Sequence, residues 1–313
     1  MTLVHPAEVV PVRGSRTIAW AKWLFLLAVL ALGGLFVARR WPELSVVLGQ
    51  LRWPAAAAAV ALAVLGQLAA MRSCQAILAD LGSPLPMAPA GRIYFVSQLG
   101  RYLPGAVWGM VALVTLSRDY RIGRKTAVAT GLLNLAFSIG AAVVVAALML
   151  PFGALPSVRH LWYVGLLLPA VLVGLHPKVV GTVLDSALRL VGRQPMPQRM
   201  SYPGTLRAAG WQTLAWLFLG LHAWVLLVEF GGAAGPRTLA VSVGGFALSY
   251  GIGPLFVLTP AGAGVREAGI VLTIGSAVGG TSALAVALVS RMLLVVLDFA
   301  QAGVWTLFAR FRP

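Results

Sequence analysis

Six stretches of the chain, 18–38, 53–71, 126–150, 160–176, 207–230 and 282–309, carry close to the 20 apolar residues that a helix needs to cross a bilayer. The fourth sits at the short limit. Two further apolar regions, 90–117 and 238–278, are each broken near the middle. Leu103-Pro104-Gly105 interrupts the first, and Thr259-Pro260-Ala261-Gly262-Ala263-Gly264 the second. Proline removes a backbone donor and clashes with the preceding turn. Glycine permits the sharp bend. Each half of these two regions is therefore expected to be a short helix of its own.

Composition closes off the soluble alternatives. Hydrophobic residues make up 59% of the 313, charged residues only 10%, and mean hydropathy is +0.89. An ordinary soluble domain has about 25% charged residues. A globule of this size could not bury so much apolar surface, and a disordered chain would not carry it. The formal charge of +16 would suggest nucleic acid in a soluble protein. Here 21 of the 24 basic residues are arginines that fall in the gaps between apolar runs. That is the positive-inside pattern, and no nucleic-acid partner is expected. The lone Cys74 and the scattered His5, His160, His176 and His222 form no metal-ligand spacing, so neither metal nor cofactor is expected.

Charge also sets the expected topology. The basic clusters lie at 13–22, at Arg118, Arg121, Arg124 and Lys125, within 178–207, and at Arg310 and Arg312. Placing all four in the cytoplasm makes the spans alternate only if 90–117 begins and ends inside and 238–278 begins and ends outside. The expected fold is thus all-α and polytopic. It has about six spanning helices and two oppositely oriented re-entrant hairpins, an inverted-repeat-like arrangement with a site near the midplane. Residues 1–17 and 310–313 form cytoplasmic tails, and 18–309 one membrane domain. Arg39-Arg40 and the later spans mark 18–38 as an uncleaved first helix. Arg39, Arg40 and Arg52 fall outside in this scheme and fit it poorly. Segment 177–193 puts Val180, Val183, Leu184, Ala187 and Val191 on one face, and reads as a helix lying on the cytoplasmic surface.

Charges inside a bilayer usually mark a pathway or a pair. Arg101, Arg266, Glu267, Arg291 and Asp298 all fall in apolar regions, whereas Glu229 sits at a helix end and reads as interfacial. Tyr94, Gln98 and Arg101 share a helix face. Arg291 and Asp298 are two turns apart, roughly 10 Å, so each is expected to meet a partner from another segment. Arg101 has no acidic residue in its own hairpin and is expected to be the most direct ligand. Arg266 and Arg291 are expected to be partly structural, paired with Glu267 or Asp298. The half-helices after Pro104 and Pro260 begin inside the membrane, where free N–H groups suit an anion. Asn134, Ser138, Gln67 and Gln212 read as helix–helix glue. Trp108 reads equally as a lining or a packing aromatic.

The run from Tyr94 through Gln98, Arg101, Tyr102, Pro104, Gly105 and Trp108 to Gly109 resembles the first signature of the lysylphosphatidylglycerol synthase transmembrane-region family. Pro260-Ala-Gly262-Ala-Gly264-Val-Arg266-Glu267-Ala is similar to its second, and Ser290-Arg291-Met-Leu-Leu to its third. The likeness covers roughly residues 18–309. It implies a membrane lipid translocase, or an accessory to cell-envelope assembly, in the cytoplasmic membrane. A soluble aminoacyl-transferase domain is not expected, since the sequence runs out at Pro313, and lipid aminoacylation is not carried over. Many relatives have an acidic residue where this chain has Asn134, so a proton-coupling role for that helix is not carried over either.

Four classes of function remain to be weighed. The foremost is a flippase-like carrier of an anionic, phosphate-bearing lipid or polyprenyl-phosphate-linked sugar. Its head group would sit among Arg101, Arg266, Arg291 and the tip residues. A membrane enzyme would need clustered carboxylates for Mg²⁺ or a histidine nucleophile, and neither pattern is present. A small-solute transporter and a non-transporting scaffold for envelope glycosyltransferases remain as alternatives.

Overall fold

The computed structural model describes residues 49, 51–103, 107–153, 199–255 and 264–311, with isolated positions between 166 and 186. Span 18–38, and 160–176 and 177–193 apart from isolated positions, lie outside the described residues. So do Pro104, Gly105, Pro260 and Gly262. Every regular element among the described residues is helical.

Among the described residues, four helices are long and apolar enough to cross a membrane. They are α1 (Trp53–Asp80), α4 (Arg124–Gly153), α5 (Tyr202–Glu229) and α8 (Gly280–Phe311). At about 1.5 Å per residue, the 28 residues of α1 reach roughly 42 Å, more than the hydrocarbon core requires. Between them lie four shorter helices: α2 (Met87–Gln98), α3 (Trp108–Arg118), α6 (Pro236–Ile252) and α7 (Val265–Val278). At 12 and 11 residues, α2 and α3 are each too short to cross alone. A 3₁₀ turn, Leu99–Tyr102, ends α2 and carries Arg101 to the tip.

The chain turns back at both broken regions, as their Pro-Gly elements predict. In the first hairpin, a Cβ on Gly100 would lie 2.6 Å from the Trp108 carbonyl carbon and closer still to Gly109. In the second, Gly245 lies against Thr273, Gly269 against Ser249, and Gly253 against Arg266. That order makes α6 and α7 antiparallel.

The hairpins enter from opposite ends of the bundle. Helices α1 and α5 are antiparallel. Arg52 and Glu229 join them at one end, with Arg52 Nε 2.8 Å from Glu229 Oε1. At the other end Asp80 accepts from both the backbone N–H and the hydroxyl of Ser201, each at 2.6 Å. The first hairpin follows the Asp80 end of α1, and Gly91 at its base packs on Trp305 near the end of α8. The second follows Glu229, and Gly232 before it packs on Val278 at its close. The arrangement expected from charge alternation is thus present in the described part. Arg52 pairs with Glu229 at that end, and the carboxylate raises the Arg52 pKa through their hydrogen bond.

Small residues set the helix spacing, as in membrane bundles without a hydrophobic drive between helices. Gly66 of α1 meets Ala215 and Leu219 of α5; Gly220 of α5 meets the Val243 backbone of α6. Large apolar side chains such as Leu132, Leu148, Leu272 and Val296 are exposed, as on a lipid-facing surface.

Two expected results follow. Gly100→Ala should cost about 1–3 kcal/mol, because the new methyl meets backbone that cannot swing away. Thermal unfolding in detergent checks it, with Gly123→Ala, which has open space, as the unaffected control. Gly123→Cys should resist membrane-impermeant thiol reagents added outside intact cells if 118–125 is cytoplasmic. Cys74 is buried and gives little background. Ready outside labelling would contradict the charge-based orientation.

Candidate functional site

Described residues that flank the breaks of both hairpins line one cavity of about 350 Å³. Gln98, Arg101 and Tyr102 reach it from the first hairpin, and Gly253 and Arg266 from the second. Arg291 and Asp298 reach it from the middle of α8. Its volume falls within the roughly 300–1,000 Å³ of small-molecule sites.

Each oxygen of Asp298 and of Glu267 accepts at least one hydrogen bond. Asp298, 1% exposed, forms an ion pair with Arg101 and accepts from the Tyr102 hydroxyl, both through Oδ2. Its other oxygen accepts from Gln67 Nε2 at 2.7 Å, and Gln301 donates in turn to Gln67. Glu267 forms an ion pair with Arg291. Its second oxygen accepts the Gly264 N–H at 2.7 Å, closing the start of α7. Gly264 has φ +85°, a backbone that favours glycine.

Arg266 differs from the other two arginines. Its guanidinium lies over the Tyr250 ring, 4.7 Å from the centroid. Its Nε is buried and has no hydrogen-bond acceptor among the described residues. Gly253 leaves it room: a Cβ there would lie 2.5 Å from Nε. A cation over an aromatic face gains about 0.5–2 kcal/mol, which does not offset a missing counter-ion in a membrane interior. Three arginines against two carboxylates leave one positive charge over, and the pairing assigns it to Arg266.

At four residues the geometry differs from what spacing alone suggests. Arg101, expected to be the most direct ligand because its own hairpin holds no acid, is ion-paired with Asp298 from α8, although its Nε has no acceptor among the described residues. Arg266 was expected to pair with an acid and does not among the described residues. The Gly264 amide, expected to face an anion, is taken by Glu267. Trp108, offered as a substrate contact, is 42% exposed and does not line the cavity. The expectation that Arg291 and Asp298 each meet a partner from another segment is met.

Several site residues were not singled out or were read as glue. Tyr250 gave no signal beyond an aromatic in an apolar run. Gln67 and Gln301 hold Asp298 in place. Asn134 and Ser138 of α4, with Gln212 and Trp216 of α5, also line the cavity. Their signal was a polar side chain at membrane depth.

An all-helical membrane bundle with two opposed broken hairpins around a basic cavity defines the class of this protein. The family described as the lysylphosphatidylglycerol synthase TM region matches residues 20–300, and the chain belongs to it. No curated protein matches the chain. Family and fold together make it a membrane protein of lipid- or envelope-related processes.

Proposed function

We propose that the protein is a flippase-like translocase, not an enzyme, for a phosphate-bearing anionic lipid or a polyprenyl-phosphate-linked sugar, acting in the cell membrane with both termini cytoplasmic. The observation that carries this reading is Arg266, a cation on the cavity wall that has no carboxylate partner among the described residues. An isolated charge there is costly, and a ligand phosphate would relieve the cost. Guanidinium offers a planar fork of donors that matches phosphate. Two hairpins entering from opposite ends suit exposure of such a site to either leaflet in turn. The lipid tails would stay in the bilayer.

Reconstitution into vesicles containing fluorescent phosphatidylglycerol tests this. An impermeant quencher should reach more than the outer-leaflet half of the label when the protein is present. If only half is quenched although the lipid still stabilises the protein, the scaffold reading takes its place. Transport of a small anionic solute without lipid movement would favour the small-solute alternative.

A further inference from the structure

Three of the helices end in the same cap. After α1, the Gly82 N–H donates to the Ala79 carbonyl and the Ser83 N–H to that of Leu78. After α5, Gly231 donates to Val228 and Gly232 to Leu227. After α3, Arg121 donates to Arg118 and Ile122 to Ser117. Each is the nested pair of bonds that closes a helix through one residue in the left-handed region. The first two caps put glycine there, Gly82 at φ +79° and Gly231 at φ +96°. The third puts Arg121 there, at φ +58°, the one non-glycine residue with positive φ among the described residues. A Cβ in that region crowds the following carbonyl, a strain that glycine avoids. Arg121 is exposed and makes no hydrogen bond or ion pair among the described residues. The fold alone would therefore be served better by glycine, and strain held at one residue points to a use for its side chain.

The charges around Arg121 are of one sign. Residues 117–125 hold Arg118, Arg121, Arg124 and Lys125 against a single acid, Asp119. Asp119 is taken by Arg92 of α2, 3.1 Å away, which also donates to the Tyr120 hydroxyl at 3.1 Å. Ile122, 5% exposed, pins the turn to the bundle, while Arg118, Arg121 and Arg124 stay exposed. Depth then narrows the partner. Helix α3 starts beside Gly109 on the cavity wall, where both hairpins meet. Its 11 residues cover roughly 16 Å, about half the hydrocarbon core. The turn at its far end therefore lies among the lipid head groups.

We propose that the 118–125 turn is a docking surface for the anionic phosphates of the surrounding leaflet, and that Arg121 occupies a glycine position in order to hold them. The surface is peripheral. Its lipids are neighbours of the protein, not the molecules that enter the cavity, and they anchor the base of the first hairpin to one leaflet.

The test uses the full chain in vesicles, with a fluorophore on Gly123→Cys, which has open space within the turn. The quencher is phosphatidylglycerol or phosphatidylcholine, each with a nitroxide at the same position near the top of one chain. At equal mole fraction, phosphatidylglycerol should quench more strongly. About 1 M salt, where screening acts beyond roughly 3 Å, should remove the excess. Arg121→Gly should lower the local enrichment by up to about fivefold, the factor that one basic side chain contributes at an anionic leaflet. Arg121→Ala, which keeps the strain, should lower it equally, and Arg121→Lys should preserve it. In neutral detergent Arg121→Gly should unfold about 2–4 °C higher than wild type, because strain is relieved and no leaflet is present to bind. The excess should persist in Arg266→Ala, because the turn lies outside the cavity; failure of the cavity reading is thereby told apart from failure of this one. Equal quenching by the two lipids in wild type, or an excess that Arg121→Gly leaves unchanged, overturns the proposal. So does an Arg121→Gly protein that unfolds at a lower temperature, since the side chain would then serve the fold. A wild type that binds polyglutamate but shows no lipid preference overturns it in favour of an acidic protein partner.

Discussion

Asp298→Ala should cost about 3–5 kcal/mol of folded stability, the largest loss of any single substitution at the site. Breaking one side of a buried pair leaves the other charge uncompensated, and that accounts for the magnitude. Asp298 is 1% exposed and holds Arg101, Tyr102 and Gln67 together, so its loss frees a cation, a hydroxyl and an amide at once. Asp298→Asn should cost less, because the amide keeps a hydrogen bond to Gln67 or Tyr102. The double replacement Arg101→Met with Asp298→Leu should recover most of the folded protein, since removing a buried pair together is often neutral. Unfolding in detergent, followed by fluorescence, reads all three. A double variant no more stable than Asp298→Ala would mean that Asp298 works through packing and not through its charge.

Arg266→Ala should behave in the opposite way. It removes a charge that has no carboxylate partner among the described residues, so the lipid-free protein should be as stable as wild type or somewhat more stable. Stabilisation by phosphatidylglycerol should fall by roughly tenfold or more in apparent affinity, because a charged hydrogen bond is worth about 1.5–3 kcal/mol. Transport should fall with it. Arg266→Lys should recover the charge but not the fork, and so only part of the binding.

The contrast between these arginines was hidden in the sequence for a definite reason. Arg266 and Glu267 are neighbours and look like a pair. On a helix, consecutive residues point about 100° apart. Glu267 turns toward Arg291 and the Gly264 amide, while Arg266 turns over Tyr250 into the cavity. Arg101 looked unpaired because its own hairpin holds no acid; its partner lies 197 positions away on α8. Pairings between distant segments leave no mark in spacing. The bundle itself was far more legible. Long apolar runs, the Pro-Gly breaks and the placement of arginines gave the four described spans, both hairpins and their opposed entry. Those signals are local, and the bilayer imposes them on each segment separately. Gln67, Gln212 and Asn134 lay between. Their depth in the membrane was plain, but whether each faced a helix or a cavity depended on how α1, α4 and α5 rotate about their axes.

The central claim is that Arg266 is the uncompensated charge that holds the ligand phosphate. Its most direct test is the shift in unfolding temperature caused by phosphatidylglycerol, measured side by side on wild type and Arg266→Ala. The account predicts a clear, saturable shift for wild type and a shift largely lost in the variant, with the lipid-free unfolding temperature not lowered. A variant that unfolds at a markedly lower temperature without lipid, yet gains the full wild-type shift when lipid is added, would contradict it.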